Sequence, residues 1–245
     1  MDRKRATLTG LAAILLWSTM VGLIRSVSEG LGPVGGAAMI YTVSGLLCLV
    51  TAGFPDLRRF SRRYLLAGSI LFVSYEMCLA LSLGYAATRS QAIEVGMVNY
   101  LWPSLTIAFA ILFNGQKSTL WVIPGLLISL LGVCWVLGGE NGLQLNDIMQ
   151  NVVSSPLSYG LAFAGAFIWA AYCTVTSKYA KGQNGITLFV LLTALSLWVK
   201  YAVSDQPEMV FSVPVVVKLL MCGVALGFGY AAWNIGILHG NVTVL

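Results

Sequence analysis

The chain has 245 residues, of which 58% are hydrophobic and only 9% charged, and its mean hydropathy is +0.84. About a quarter of the residues in a soluble domain are charged, so this composition excludes an ordinary soluble protein and points to one embedded in a bilayer. The net charge of +5 would suggest nucleic acid in a soluble protein, but the basic residues gather in loops between apolar runs, where they orient a membrane chain and imply no nucleic-acid partner.

Apolar stretches of about 20 residues recur between short polar segments, each long enough to cross a hydrocarbon core of roughly 30 Å as a helix. The polar and apolar alternation of a β-barrel strand is not seen. The expected fold is therefore all-α and polytopic, with spans at Leu8–Ile24, Val34–Ala52, Tyr64–Leu83, Ile93–Phe113, Leu120–Leu137, Tyr159–Thr176, Ile186–Val203 and Val215–Ile235. MDRKR followed by an apolar run has the charge pattern of a signal peptide, but the run is long, holds Trp17 and lacks a small-residue cleavage site, so it reads as the first span. The closing HGNVTVL reads as a loop and the opening of a ninth helix.

With eight crossings, Arg3, Lys4, Arg5, Arg58, Arg59, Arg62, Arg63, Lys117, Lys178 and Lys181 all fall on one side. The other side carries Glu29, Glu140, Asp147, Asp205 and Glu208, with Arg25, Arg89, Lys200 and Lys218. By the positive-inside rule the N-terminus is expected in the cytoplasm.

Sliding the sequence by 152 positions lays Trp17 of LLWST on Trp169 of FIWAA and Gly84 on Gly236. The same shift lays the second span on the seventh and the third on the eighth, and because five crossings intervene the second copy is inverted. Residues 1–140 are expected to form one five-helix repeat, and 158–245 a second that stops before its last two helices, whose counterparts would end near position 290.

The segments LLWSTMVGLIRSVSEG, LFVSYEMCLALSLGYAAT, QAIEVGMVNYLWPSLTI, FIWAAYCTVTSKYA and GYAAWNIGILHGNVT resemble bacterial aromatic amino acid exporters of the drug/metabolite transporter superfamily, EamA type, from the first residue to the last. The resemblance implies ten helices in two inverted five-helix repeats and a bacterial inner-membrane location. It also implies outward movement of phenylalanine, tyrosine and tryptophan, with some cationic xenobiotics.

The residues offer a site of their own. Glu76 lies mid-span in VSYEMCLAL, where an ionisable group costs several kcal/mol unless paired, protonated or wetted. Its alternatives are a substrate-ammonium contact, a proton-sensitive gate and a protonated packing residue. Glu94, near the start of the fourth span, is a second gating or coupling candidate, or simply a carboxylate at a helix N-terminus. Pro103 cannot donate to the Asn99 carbonyl, so a kink exposes an acceptor at depth, as happens beside cavities. At roughly 100° per residue Asn99 and Trp102 share a face while Tyr100 points away, so one straight helix does not aim all three at one site. Trp17, Tyr75, Trp169, Tyr172 and Tyr230 also fall at depth, where rings either pack or stack on an aromatic substrate and hold its ammonium. Substrate binding is thus expected at Trp102, Asn99, Tyr100, Tyr75, Glu76, Trp169, Trp17, Tyr172 and Tyr230. Gly223, Gly227 and Gly229 read as close helix packing.

There is no Walker motif, and Cys48, Cys78, Cys134, Cys173 and Cys222 lack metal-ligand spacing, so neither ATP hydrolysis nor a metal or other cofactor is expected. An intramembrane enzyme would need a nucleophile with a base, but the spans offer no histidine and no aspartate pair, and His239 lies in an expected loop. A non-transporting assembly or receptor subunit stays open beside the exporter, and a monomer in the lipid bilayer is compatible with either.

Overall fold

The computed structural model of the protein describes residues 2–137 and 145–241. Glu140, the Asp147 side chain and residues 242–245, where the ninth helix was expected to open, lie outside that description. Every regular element among the described residues is helical.

The expected first span is two helices, α1 (Arg3–Trp17) and α2 (Met20–Leu31), bent by 42° where they meet. At the break the hydroxyls of Ser18 and Thr19 donate to the carbonyls of Leu15 and Leu16 at 2.8 and 2.9 Å, a local alternative to the helical ladder. Gly32, with φ of 75°, ends α2, and Pro33 starts α3 (Pro33–Ala52) in the first-turn position where its missing N–H costs nothing. A short 3₁₀ turn at Leu57–Arg59 leads to α4 (Arg62–Gly84), capped by Ser61, whose Oγ accepts from the Tyr64 amide.

The fourth span is also broken, into α5 (Arg89–Asn99) and α6 (Trp102–Asn114), at the turn preceding Pro103. Then come α7 (Val122–Leu137), α9 (Pro156–Tyr179), α10 (Ile186–Ala202) and α11 (Val213–His239). Between α7 and α9 the structure adds a ten-residue helix, α8 (Leu145–Ser154), where the sequence suggested only a loop. His239, also expected in a loop, is the last residue of α11. Among the described residues five helices are long and apolar enough to cross a membrane, counting α5 with α6, and the bent α1–α2 pair makes a sixth. At 16 and 17 residues, α7 and α10 are shorter apolar helices.

The principal interfaces pair α4 with α9, α1 with α11, and α3 with both α10 and α11. Shifted by 152 residues, α1–α2, α3 and α4 fall on α9, α10 and α11, so the α1–α11 pairing corresponds to α9–α4, while α3–α10 corresponds to itself. Lipid is as apolar as leucine, so these seams need close packing and interhelical hydrogen bonds. Along α3–α11, Ser44 and Cys48 donate to the carbonyls of Gly223 and Gly227, an approach that the missing side chains permit.

Hydrogen bonds also show which ends lie together. Ser61 donates to the Tyr179 carbonyl, Lys178 to that of Phe113, and the Asn241 amide to Thr7 Oγ1. The tail and the loops that carry most of the arginines and lysines therefore gather at one end of the bundle.

Candidate functional site

The two broken spans meet where the aromatic residues converge. The α1–α2 break sets Trp17 beside Met20 and Val21, and the α5–α6 break turns the chain between Asn99 and Trp102. Without an N–H from Pro103, the helix tightens at this turn. The Tyr100 amide keeps the ordinary helical bond to Gly96 O, four residues back, whereas the Leu101 amide reaches Val98 O, only three back. That turn brings Tyr100 onto the same cavity as Asn99 and Trp102, which a straight helix would not do. Tyr75 of α4, Tyr230 of α11 and Trp17 complete the polar and aromatic lining, with Leu79, Leu83 and Leu226 among the apolar residues.

The rings form one continuous cluster. Trp17 lies 4.9 Å from Tyr230, 5.9 Å from Trp169 and 6.4 Å from Trp102, edge-on to both tryptophans. Trp169 in turn sits 4.5 Å from Tyr75 and is stacked on Tyr172 at 5.0 Å. Offset and edge contacts of this kind are worth about 0.5–1.5 kcal/mol each beyond burial. The cavity left among them measures about 50 Å³, room for a few waters, whereas ligand pockets run to roughly 300 Å³ or more. Its lining holds no charged side chain. It does hold polar groups: Asn99 donates to Tyr75 Oη at 3.3 Å, while Asn99 Oδ1 and Trp17 Nε1, buried without a partner, lie against Gly165 of α9 and Gly229 of α11. Such atoms cost about 1–3 kcal/mol each when desolvated and unpaired.

Of the nine expected binding residues, six line this cavity: Trp17, Tyr75, Asn99, Tyr100, Trp102 and Tyr230. Trp169 and Tyr172 are buried behind it, as a second layer of rings. Glu76 is not in the lining and is fully buried. Its carboxylate Oε2 accepts a short hydrogen bond from Tyr41 of α3, the Tyr230 phenol stands at the same carboxyl, and Oε1 completes no hydrogen bond. Glu94 lies apart from the cluster, where Tyr159 of α9 donates to it at 2.6 Å and ties α9 to α5.

Sequence reasoning missed Trp233, Phe72 and Tyr41. Trp233 lies 5.1 Å from Trp102 and 5.5 Å from Trp17, and Phe72 is 5.1 Å from Tyr230. Trp233 was within reach of a spacing argument, being three residues past Tyr230 and so on the same helix face. Tyr41 had no such signal, because its partnership with Glu76 exists only through the α3–α4 contact.

Residues 4–138 match the EamA-like transporter family. Over its full 245 residues the chain is 72% identical to a Salmonella typhimurium protein (strain 14028s) named aromatic amino acid exporter YddG, covering 84% of that relative. The chain belongs to the EamA-like transporter family. It is also 71% identical to the Escherichia coli K12 protein of the same name, and 27% identical over 256 positions to that of Ancylobacter novellus, covering 84% of each. A solved crystal structure with 24% identity has the same fold, with a TM-score of 0.77 over 99% of this chain and 83% of that one. As an EamA-like protein with several apolar helices, this is a multi-pass membrane transporter and not an enzyme.

Proposed function

We propose that the protein exports aromatic amino acids, with some cationic xenobiotics, by alternating access at the central cavity. The observation that carries this reading is an uncharged chamber walled by aromatic rings, with Asn99 and the phenols of Tyr75, Tyr100 and Tyr230 in its lining. An aromatic side chain suits the rings, an ammonium suits an indole face, and the Asn99 amide and tyrosine hydroxyls of the lining suit the amino-acid head group. The names of the relatives agree with that chemistry.

A cavity of about 50 Å³ cannot admit such a molecule, so in this conformation the chamber is closed and a substrate enters only as the rings part. Residues 1–140 and 158–245 act as two inverted halves rocking about the site, a reading supported by the matching helix pairs at the 152-residue offset. The N-terminus and the basic loops face the cytoplasm of a bacterial inner membrane, in keeping with the positive-inside rule. Glu76 holds α4 to α3 through Tyr41 and is the gating or coupling residue, whereas Glu94 steadies α5 on α9.

Efflux of radiolabelled phenylalanine from cells expressing the protein tests the assignment. Trp102→Ala and Asn99→Ala are expected to cut efflux by about two- to tenfold, in line with the loss of one ring contact or one buried hydrogen bond. Undiminished efflux in both variants at equal expression removes the central cavity from the transport path.

A further inference from the structure

The central cavity has no cation, yet an amino acid carries a carboxylate, and the structure offers that group a different place. A second, partly open cavity of about 330 Å³ lies beside the first half of α2, the start of α5 and the second turn of α11. Val21 lines both cavities and forms the wall between them. Gly96 lets that wall seat closely, since a Cβ there would lie 3.0 Å from the Val21 side chain. Three basic residues line the second cavity, Arg25 on α2, Arg89 on α5 and Lys218 on α11, together with Ser26.

These cations are not neutralised locally. Among the described residues Glu29 is the one carboxylate that pairs with them, 2.8 Å from Arg89 and 3.4 Å from Arg25. Among the described residues Lys218 forms no ion pair and donates to the hydroxyl of Ser26 at 2.6 Å. The Arg25 guanidinium donates to the carbonyls of Gly84 and Ala86, so it also covers the negative C-terminal end of α4. Meanwhile α5 begins at Arg89 and so presents its positive N-terminal end here. Arg89 is exposed and pairs with Glu29, so the uncompensated charge at the cavity rests on the part-buried Arg25 and Lys218, which lie among apolar helices where such charge is costly and attracts an anion.

We propose that this second cavity is a transit site for the carboxylate of an amino-acid substrate, one Val21 side chain away from the chamber that holds the aromatic ring. It rests on the aromatic amino acid reading above and divides recognition in two along the path: the central chamber reads the ring and the ammonium, and the cationic cavity reads the carboxylate as the molecule passes Val21. Lys218 is the principal contact, because Arg25 is bound to backbone carbonyls and Arg89 to Glu29.

The test is phenylalanine transport in proteoliposomes of phosphatidylcholine, with two aromatic inhibitors that each lack one head group: 3-phenylpropanoate has only the carboxylate and trimethyl(2-phenylethyl)ammonium only the cation. In Lys218→Gln the KM for phenylalanine and the inhibition constant of 3-phenylpropanoate are both expected to rise about tenfold, the worth of one charge-assisted contact. Inhibition by the ammonium compound stays unchanged, and Lys218→Arg restores the wild-type values. Equal changes for both inhibitors, or no inhibition of the wild type by 3-phenylpropanoate, overturn the proposal. A loss seen only when phosphatidylglycerol is added assigns the cations to an anionic lipid and overturns it as well. A wild type that moves no phenylalanine at all defeats the exporter reading itself, a result distinct from each of these.

Discussion

At the scale of single residues, the decisive chemistry is a carboxyl group sealed among phenols. Glu76 was legible in the sequence as an expensive residue in an apolar span, but its role there stood between substrate contact, gate and packing. The fold separates it from the central cavity by one ring, that of Tyr230, and gives it Tyr41 as its hydrogen-bond donor. Removing that donor while keeping the acid strands a buried acceptor, so Tyr41→Phe is expected to destabilise the protein by about 1–3 kcal/mol in thermal unfolding in detergent. Replacing all three groups in Tyr41→Phe/Glu76→Met/Tyr230→Phe recovers most of that loss, because neither the acid nor either phenol at it is then left unpaired. Independent, additive losses would show that the three do not act as a unit.

At the scale of elements, two breaks build the chamber. Pro103 announced the break between α5 and α6, because its missing N–H follows from the residue type alone. The α1–α2 break carried no proline, and Ser18 and Thr19 became legible as its cause only once their hydroxyls were seen bonded to Leu15 and Leu16. The crossing of α1 and α11 depends on a further small residue. A Cβ added to Gly229 falls directly on the Trp17 indole, while one added to Gly160 of α9 meets open space. Gly229→Ala is therefore expected to lower phenylalanine efflux at least about tenfold by displacing the ring that touches every other tryptophan of the cluster, even though alanine favours the helix by up to about 1 kcal/mol. Gly160→Ala serves as the matched control, with efflux unchanged and stability level or slightly raised. Equal effects of the two substitutions would mean that the Trp17 contact does not matter.

At the scale of the whole molecule, charge and topology coincide. The basic loops meet at one end through the bonds of Ser61 to Tyr179 and Lys178 to Phe113, and the linker carrying Asp205 lies at the opposite end of α10 from Lys181. Cysteine introduced as Lys181→Cys is expected to react with a membrane-impermeant maleimide only after cells are opened, and Asp205→Cys in intact cells, each compared with the native cysteines alone. The reverse pattern would invert the proposed orientation. Composition, apolar run length and loop charge determined by themselves that this is a polytopic helical membrane protein, because those properties answer to the bilayer and need no partner residue. The sequence also named most of the rings at the centre, since aromatic residues at depth stand out against aliphatic spans. Only the tertiary structure decided which of them share a wall: six on the cavity, Trp169 and Tyr172 behind it, Glu94 elsewhere, Tyr41 on Glu76 and three cations around a second cavity. Those facts depend on contacts between helices far apart in the chain, and the spacing along any one helix does not encode them.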